Sequence, residues 1–472
     1  MSDAEVENGV EKTPNAPVDE DYEPRNATNV TTWSLASKIY HTAIPCFLAF
    51  LITFSSSVTA PAASTLMAEF NINRTEVILE QTLYMLGLSF GPLIMAPLSE
   101  FVGRRWLYLA TSSSIIAFAG GSGAARNFAT LLICRFLCGF LGSAGVAIGA
   151  GTLLDVWGLT QAGGLARLLF ICGPFLGPAM GPLAGAYVIH EHNGDWRWTQ
   201  WTVALIGAPI WILILFMKET ADFQVDRGTK YPGCFGIVQL TLSTLKAAVL
   251  RSVTMLTTEP IALSLTLYTG YAYAVMFSFF ASSSYTYSLD YGFNRRQIGL
   301  SFISVIIGYF LAAVMHLIFE LTLYARAVRQ APDGLPAPEH RLYSAMAGSI
   351  FLPIGLFWYA WEAHPGGHWA AVMASGIPFG LGAFVLFLSS IIYLVESYGA
   401  GAAASALAAN GSIRYLLGAV FPLFTIQMYE RLGVHWAGSV FGFLSLALLP
   451  IPWMLFKFGH VLRKKSRFIS ST

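Results

Sequence analysis

Charge is what this chain has least of. Lysine, arginine, aspartate and glutamate make up 11% of its 472 residues, less than half the roughly 25% usual in soluble proteins. That deficit excludes an ordinary water-soluble globule. A net charge of +1, with no basic stripe, excludes a nucleic-acid partner. Cysteine is scarce too: Cys46, Cys134, Cys138 and Cys172 stand in apolar runs and Cys234 in a loop. Cys134 and Cys138 share a helix face, but two thiols without a histidine or acid beside them make no metal site. They read as small buried apolar residues. Also missing are a phosphate-binding glycine loop, paired histidines at metal spacing and a nucleophile elbow, so the chain is not read as an enzyme. Residues 1–40 lack the basic start and short apolar core of a signal peptide. With eight acids through Glu23, they read as a solvated, disordered tail.

Apolar residues are what the chain has in excess, 55% of the total. Apolar runs of about twenty residues, the length that crosses a bilayer, recur throughout. Twelve candidate spans lie near 41–63, 77–98, 106–124, 128–150, 166–189, 200–217, 260–284, 298–322, 342–361, 369–394, 402–424 and 435–456. The longest interior break, 218–259, falls after six of them, the pattern of transporters built from repeats. The expected architecture is an all-α membrane protein of twelve transmembrane helices in two six-helix bundles, 41–217 and 260–457. A central cytoplasmic loop, 218–259, joins the bundles, and a basic tail, 458–472, follows. Within the loop, Tyr231 to Leu245 is too apolar for a solvated linker and reads as an interfacial helix or a gene-model error. With the N-terminus inside, nineteen of the 27 basic residues fall on the cytoplasmic side, which satisfies the positive-inside rule and puts both termini in the cytoplasm.

One stretch stands apart. Gly173, Gly177, Gly181 and Gly185 recur every fourth residue, and Pro174, Pro178 and Pro182 follow the first three. Residues four apart share a helix face, so the glycines form a smooth stripe on which another helix can approach backbone to backbone. Each proline removes an internal hydrogen bond, which a helix tolerates only where neighbours repair the freed carbonyl. The stretch predicts a close helix crossing, with a hinge at the prolines as the functional alternative.

Between the second and third spans, Glu100 is followed by Gly103, Arg104 and Arg105. The glycine permits a sharp turn, and the charges can pair with a helix end or a neighbouring acid. This turn resembles the signature loop of the major facilitator superfamily, in the form seen in fungal drug:proton antiporters with twelve spans. Arg135-Phe136-Leu137-Cys138-Gly139 resembles that family's fourth-span motif, and Gly173 to Gly185 its fifth-span antiporter motif. Thr258-Glu259-Pro260, Tyr393 to Arg414 and the tail Lys464-Lys465-Ser466-Arg467-Phe468 add to the likeness. Ala96 and Phe101 depart from the pattern, which would thin the turn's charge network. The resemblance implies alternating access, in which two bundles rock around a central cavity and open past each other at the fifth span. It implies a cytoplasmic latch of Glu100, Gly103, Arg104 and Arg105, with Asp155 as partner.

Charges inside a span are expensive and are functional candidates by default. Arg135 lies in span four. Glu80, one turn inside span two, is a candidate for the coupling proton, with a solvated helix start as the alternative. Asn410 and Arg414 share a face of span eleven and would bind a polar substrate group or tie helices together. Tyr273, Phe277 and Phe280 follow helical spacing in span seven and could line an aromatic cavity wall. His316 reads as a packing residue, Glu320 as reaching water and Glu396 as pairing with loop charges.

The expectation is a monomeric, proton-coupled exporter of an amphipathic small organic molecule in the plasma membrane. Its partners are that substrate, protons and lipid; it needs no cofactor beyond the proton gradient and no metal. Alternatives are a nutrient-importing symporter of the same fold or a polyamine exporter.

Overall fold

The computed structural model describes residues 33–158, 161–220, 246, 249–331, 336–466 and 468. The stretch from Tyr231 to Leu245 and most of the N-terminal tail lie outside the described residues.

Every regular element among the described residues is helical. The first span, α1 (Leu35–Ser55), starts before residue 41 and takes in the end of the stretch assigned to the tail. The Ser34 side chain caps its start, accepting the Ser37 N–H at 3.3 Å, a start signal that works locally whatever the composition upstream. The second span, α2 (Arg74–Val102), opens on a reciprocal capping box between Asn73 and Glu76. Gly103 then turns the chain at φ 96° into α3 (Arg104–Gly123). Span four is α4 (Phe128–Gly142), prolonged irregularly by two short helices, Ala144–Ala147 and Gly149–Trp157. The fifth and sixth spans are α5 (Gln161–Glu191) and α6 (Arg197–Leu215).

Residues 249–258, inside the stretch read as loop, are already helical. Span seven, α7 (Pro260–Tyr291), starts with proline at its first position, where the missing N–H costs nothing. The eighth span is Arg295–Ser301 followed by α8 (Ile303–Phe319), and the ninth is α9 (Tyr343–Glu362). A continuous helical run, Gly376–Leu448, is broken by Gly399 (φ 60°) and Gly433 (φ 75°). It therefore comprises α10 (376–398), α11 (400–432) and α12 (434–448), the last carried on by Pro450–Lys465. The helix thus ends at Lys465, well into the stretch expected to be a tail.

Ten of these stretches are long and apolar enough to cross a membrane. The last, Ser405–Lys465, holds two spans joined at Gly433, and the serine-rich α3 completes twelve. Leu205, Phe310 and Phe443 point outward, more than half exposed, which suits lipid rather than water.

Each half uses small residues to cross the same helices. In the first, a Cβ on Gly87 of α2 would stand 2.5 Å from the Phe136 carbonyl of α4, and one on Gly139 would stand 2.2 Å from the Tyr84 carbonyl. In the second, the equivalent crossing of α8 with α10 brings Gly308 equally close to Ile377 and Gly380 to Val305. Glycine is obligatory at such contacts because the two backbones touch. Between the halves the pairs are again matched: α2 meets α11, and α5 meets the eighth span, where Gly299 abuts Ala186 and Leu183.

Candidate transport pathway between the two halves

Polar contacts between the halves run from one end of the bundle to its middle. At that end Arg74 pairs with Glu430 at 2.7 Å, Gln427 donates to Thr75 at 2.7 Å and Arg295 donates to Ser64 at 2.8 Å. Halfway along, Ser89 donates to the Ser412 carbonyl at 2.8 Å and Ser412 to the Ser89 carbonyl at 3.0 Å.

At the same depth the interface is aromatic. Phe175 of α5 lies 4.7 Å from Phe387, 5.1 Å from Phe384, 5.5 Å from Tyr309 and 5.8 Å from Tyr273, all in the other half. Tyr273 and Phe277 belong to this cluster, whereas Phe280 turns to Phe302, ring to ring at 5.1 Å. The sequence expected these three to wall a cavity. Here the rings meet and fill the centre, so this state is closed around its own side chains.

Two charged constellations sit in the apolar interior, and they differ. In the first half, Arg135 Nε meets Glu80 Oε1 at 2.5 Å, with 0% and 6% side-chain exposure. Arg135 also donates to the Ser55 carbonyl at 2.7 Å and its hydroxyl at 3.1 Å, and lies over the Tyr84 ring at 4.4 Å. Tyr84 in turn is pinned by donating to the Ile52 carbonyl at 2.6 Å. Glu80 is thus no solvated helix start: α4 carries an arginine to it, and burial makes each charge dependent on the other. In the second half, Arg414 has no acid among the described residues. It is 5% exposed, its Nε and Nη1 have no partner, and it lies over the rings of Phe387, Tyr415 and Tyr273 at 4.4, 4.6 and 4.9 Å. Its neighbour Asn410 ties α11 to α7 by donating to Thr269 at 2.7 Å, while its Oδ1 is left unbonded.

The glycine stripe of α5 makes the close crossing, and its partner is α1 of the same half. A Cβ on Gly177 would stand 2.6 Å from the Phe54 nitrogen, and one on Gly185 would stand 2.0 Å from the Val58 carbonyl. The halves therefore do not open past each other on the glycines; the opposite, Phe175-bearing face of α5 is the one that meets the second half. The helix runs unbroken through its three prolines. Pro182 cannot bond the Pro178 carbonyl, and Ser57, in the turn just after α1, donates to it instead at 2.9 Å. Pro178 likewise frees the Pro174 carbonyl, and there the donor is Tyr273, from the other half, at 3.4 Å.

At the end remote from Arg74, Arg104 forms the expected pair with Asp155, at 2.6 and 3.3 Å, and also reaches the Ile148 carbonyl. Arg105 does not join that pair; it donates to the Leu215 carbonyl at 2.9 Å. Glu100 lies in the last turn of α2, and its side chain is outside the described part. Sequence reasoning missed Glu219, which caps α3 by accepting the N–H groups of Arg104 and Arg105 at 2.9 and 3.1 Å. It also missed the counterpart in the second half. Between α8 and α9, Arg341 grips both Glu320 oxygens at 2.7 Å and Glu396 at 2.6 Å, and Glu339 pairs with Arg463 at 2.7 Å. Glu320 is therefore ion-paired rather than left to water, while Glu396 pairs with a loop charge as expected. His316 is a packing residue, 2.9 Å from the Ser344 hydroxyl.

Comparison with known proteins agrees with this architecture. The family model described as "Major Facilitator Superfamily" matches residues 46–422. The chain is 36% identical to the "MFS-type transporter traF" of Penicillium crustosum, over 94% of this chain and 92% of that one. It is 34% identical to the "Efflux pump FUB11" of Gibberella moniliformis, over 94% and 76% of the two chains. With "Polyamine transporter 4" of Saccharomyces cerevisiae it shares 32% identity, over 94% and 72%. Among solved structures, the proton:xylose symporter XylE superposes with a TM-score of 0.65 at 13% identity, covering 90% of this chain and 96% of that one. The human organic anion transporter MFSD10 gives 0.62 at 16% identity, covering 89% and 99%. Two repeated halves, matched crossings and these relatives lead to one conclusion: the chain is a multi-pass membrane transporter that belongs to the major facilitator superfamily, among its fungal drug-efflux members.

Proposed function

We propose that this transporter is a proton-coupled exporter of an amphipathic small organic molecule, working by alternating access in the plasma membrane. The observation that carries the coupling is the sealed Glu80–Arg135 pair. A proton arriving at Glu80 would cancel the attraction and leave Arg135 held by Ser55 and Tyr84 alone. Because Ser55 lies on α1 and α1 carries the glycine crossing with α5, that change reaches the helix whose other face holds the second half. Taking both termini as cytoplasmic, the Arg74–Glu430 end faces outward, and the closed contacts there leave the site to load from the inside. The relatives named as efflux pumps support the outward direction.

Sealed vesicles test this. Substrate leaving against an opposing proton flux supports export, and substrate moving in parallel with protons gives the symporter reading instead. A polycation is disfavoured because Arg414, a buried charge without a partner among the described residues, is positive.

A further inference from the structure

The unpaired Arg414 says what the cargo carries. A guanidinium withdrawn from water strongly needs a counter-charge, and the buried arginine of the first half, Arg135, has one in Glu80. Arg414 has none among the described residues: it makes no ion pair there, and two of its nitrogens are buried without an acceptor. The faces of Tyr273, Phe387 and Tyr415 surround it. Ring faces soften the cost of the charge, but they supply no acceptor in line with Nε and Nη1. Each belongs to one edge of the planar fork, Nε with Nη2 and Nη1 with Nη2, and either edge can bind a carboxylate with two parallel hydrogen bonds. One turn away on the same face, the buried Asn410 Oδ1 is an acceptor without a donor. The residue lies where α11 meets α7 and α10, beside the Phe175 cluster that joins the two halves.

We infer that Arg414 is the anion-binding residue of the transport site, and that the substrate is an amphipathic organic anion, a carboxylate on a flat apolar body. The carboxylate takes one edge of the Arg414 guanidinium; the apolar body displaces Phe175 from between Tyr273 and Phe387 and stacks in its place. A hydroxyl or N–H next to the carboxylate would be received by Asn410. A cation is refused at the same point, because it would add like charge to a buried one. This rests on the exporter reading above and narrows its substrate class.

Calorimetric titration of the full-length protein in detergent tests it with 2-naphthoate, 2-naphthamide and 2-naphthylmethylammonium, which share one ring system and differ in charge. The expected result is saturable binding of the naphthoate, roughly ten- to a hundredfold tighter than the amide, and none of the ammonium. Arg414→Lys should keep the preference at reduced affinity, and Arg414→Met should erase it. The wild-type ligand comparison stands even where a variant fails to fold. Equal binding of amide and carboxylate, no saturable binding of naphthoate at millimolar concentration, or an undiminished preference in Arg414→Met overturns the assignment. Vesicles separate it from the parent reading. Proton-coupled efflux of a neutral amphiphile with naphthoate ignored removes the anion site and leaves the exporter; carboxylate binding without proton-coupled movement does the reverse.

Discussion

Replacing the four stripe glycines of α5 by alanine, one at a time, should destabilise the protein in an order set by what each new methyl meets. At Gly173 the nearest atoms, Cys46 O and Phe50 N, are 3.1 and 3.2 Å from the added Cβ, so a shift of a few tenths of an ångström relieves the contact. At Gly181 the closest is the Ser57 hydroxyl at 2.1 Å. It can rotate away only by abandoning the Pro178 carbonyl that it repairs. At Gly177 and Gly185 backbone stands in the way, at 2.6 and 2.0 Å, and nothing short of parting α1 from α5 makes room. Overpacking a tight contact costs about 1–3 kcal/mol, and an interhelical hydrogen bond in a membrane is worth about 0.6–1.7 kcal/mol. Gly177→Ala and Gly185→Ala should therefore lose about 2–4 kcal/mol, Gly181→Ala somewhat less and Gly173→Ala least. Thermal melting of detergent-solubilised protein, followed by fluorescence-detected gel filtration, reads the order directly. If Gly185→Ala melts with the wild type, or Gly173→Ala is the worst of the four, the backbone-to-backbone crossing is wrong.

Glu80→Gln should abolish proton-coupled transport in sealed vesicles. Because Arg135 would stay buried without a counter-charge, it should also cost about 3–5 kcal/mol of stability, and Glu80→Gln with Arg135→Met should recover much of the melting temperature but no transport. Transport by Glu80→Gln at the wild-type rate would remove the pair from coupling. Glu430→Arg should barely change stability, since an exposed pair contributes about 0–1 kcal/mol, yet it should shift the population toward the state open at the Arg74 end. Faster labelling of a cysteine placed at Gln427 would register that shift, and unchanged labelling would argue against a gate there. Glu219→Ala should loosen the start of α3, visible as faster amide exchange at Arg104 and Arg105; identical protection would mean that the cap contributes nothing.

What could be read beforehand was what repeats or lies close in sequence. Glycine at every fourth position declared the crossing, and the family resemblance of the acid-to-Gly-Arg-Arg turn implied the Arg104–Asp155 pair. The partner of the stripe could not be read, because four glycines look alike to any helix; only Thr53 on α1 and Ser57 and Val58 in the turn after it settle it. Glu219 was illegible for a related reason: it caps a helix that begins more than a hundred residues earlier. The start of α1 was hidden by its neighbours, since Ser34 stands at the edge of a polar tail. Arg414 was legible as a buried charge but not as a lone one, because solitude is a property of everything packed around a residue.

The carbonyls that the prolines set free have different fates. The oxygen of Pro178 is answered from within its own half and stays answered however the halves move. That of Pro174 is answered by the phenol of Tyr273, across the seam, so if the halves rock as proposed, each turnover breaks this bond and remakes it. A single carbon-13, oxygen-18 label at Pro174 would give an infrared band with two frequencies, one for each side of the membrane on offer, and so a clock for the cycle that needs neither substrate nor dye.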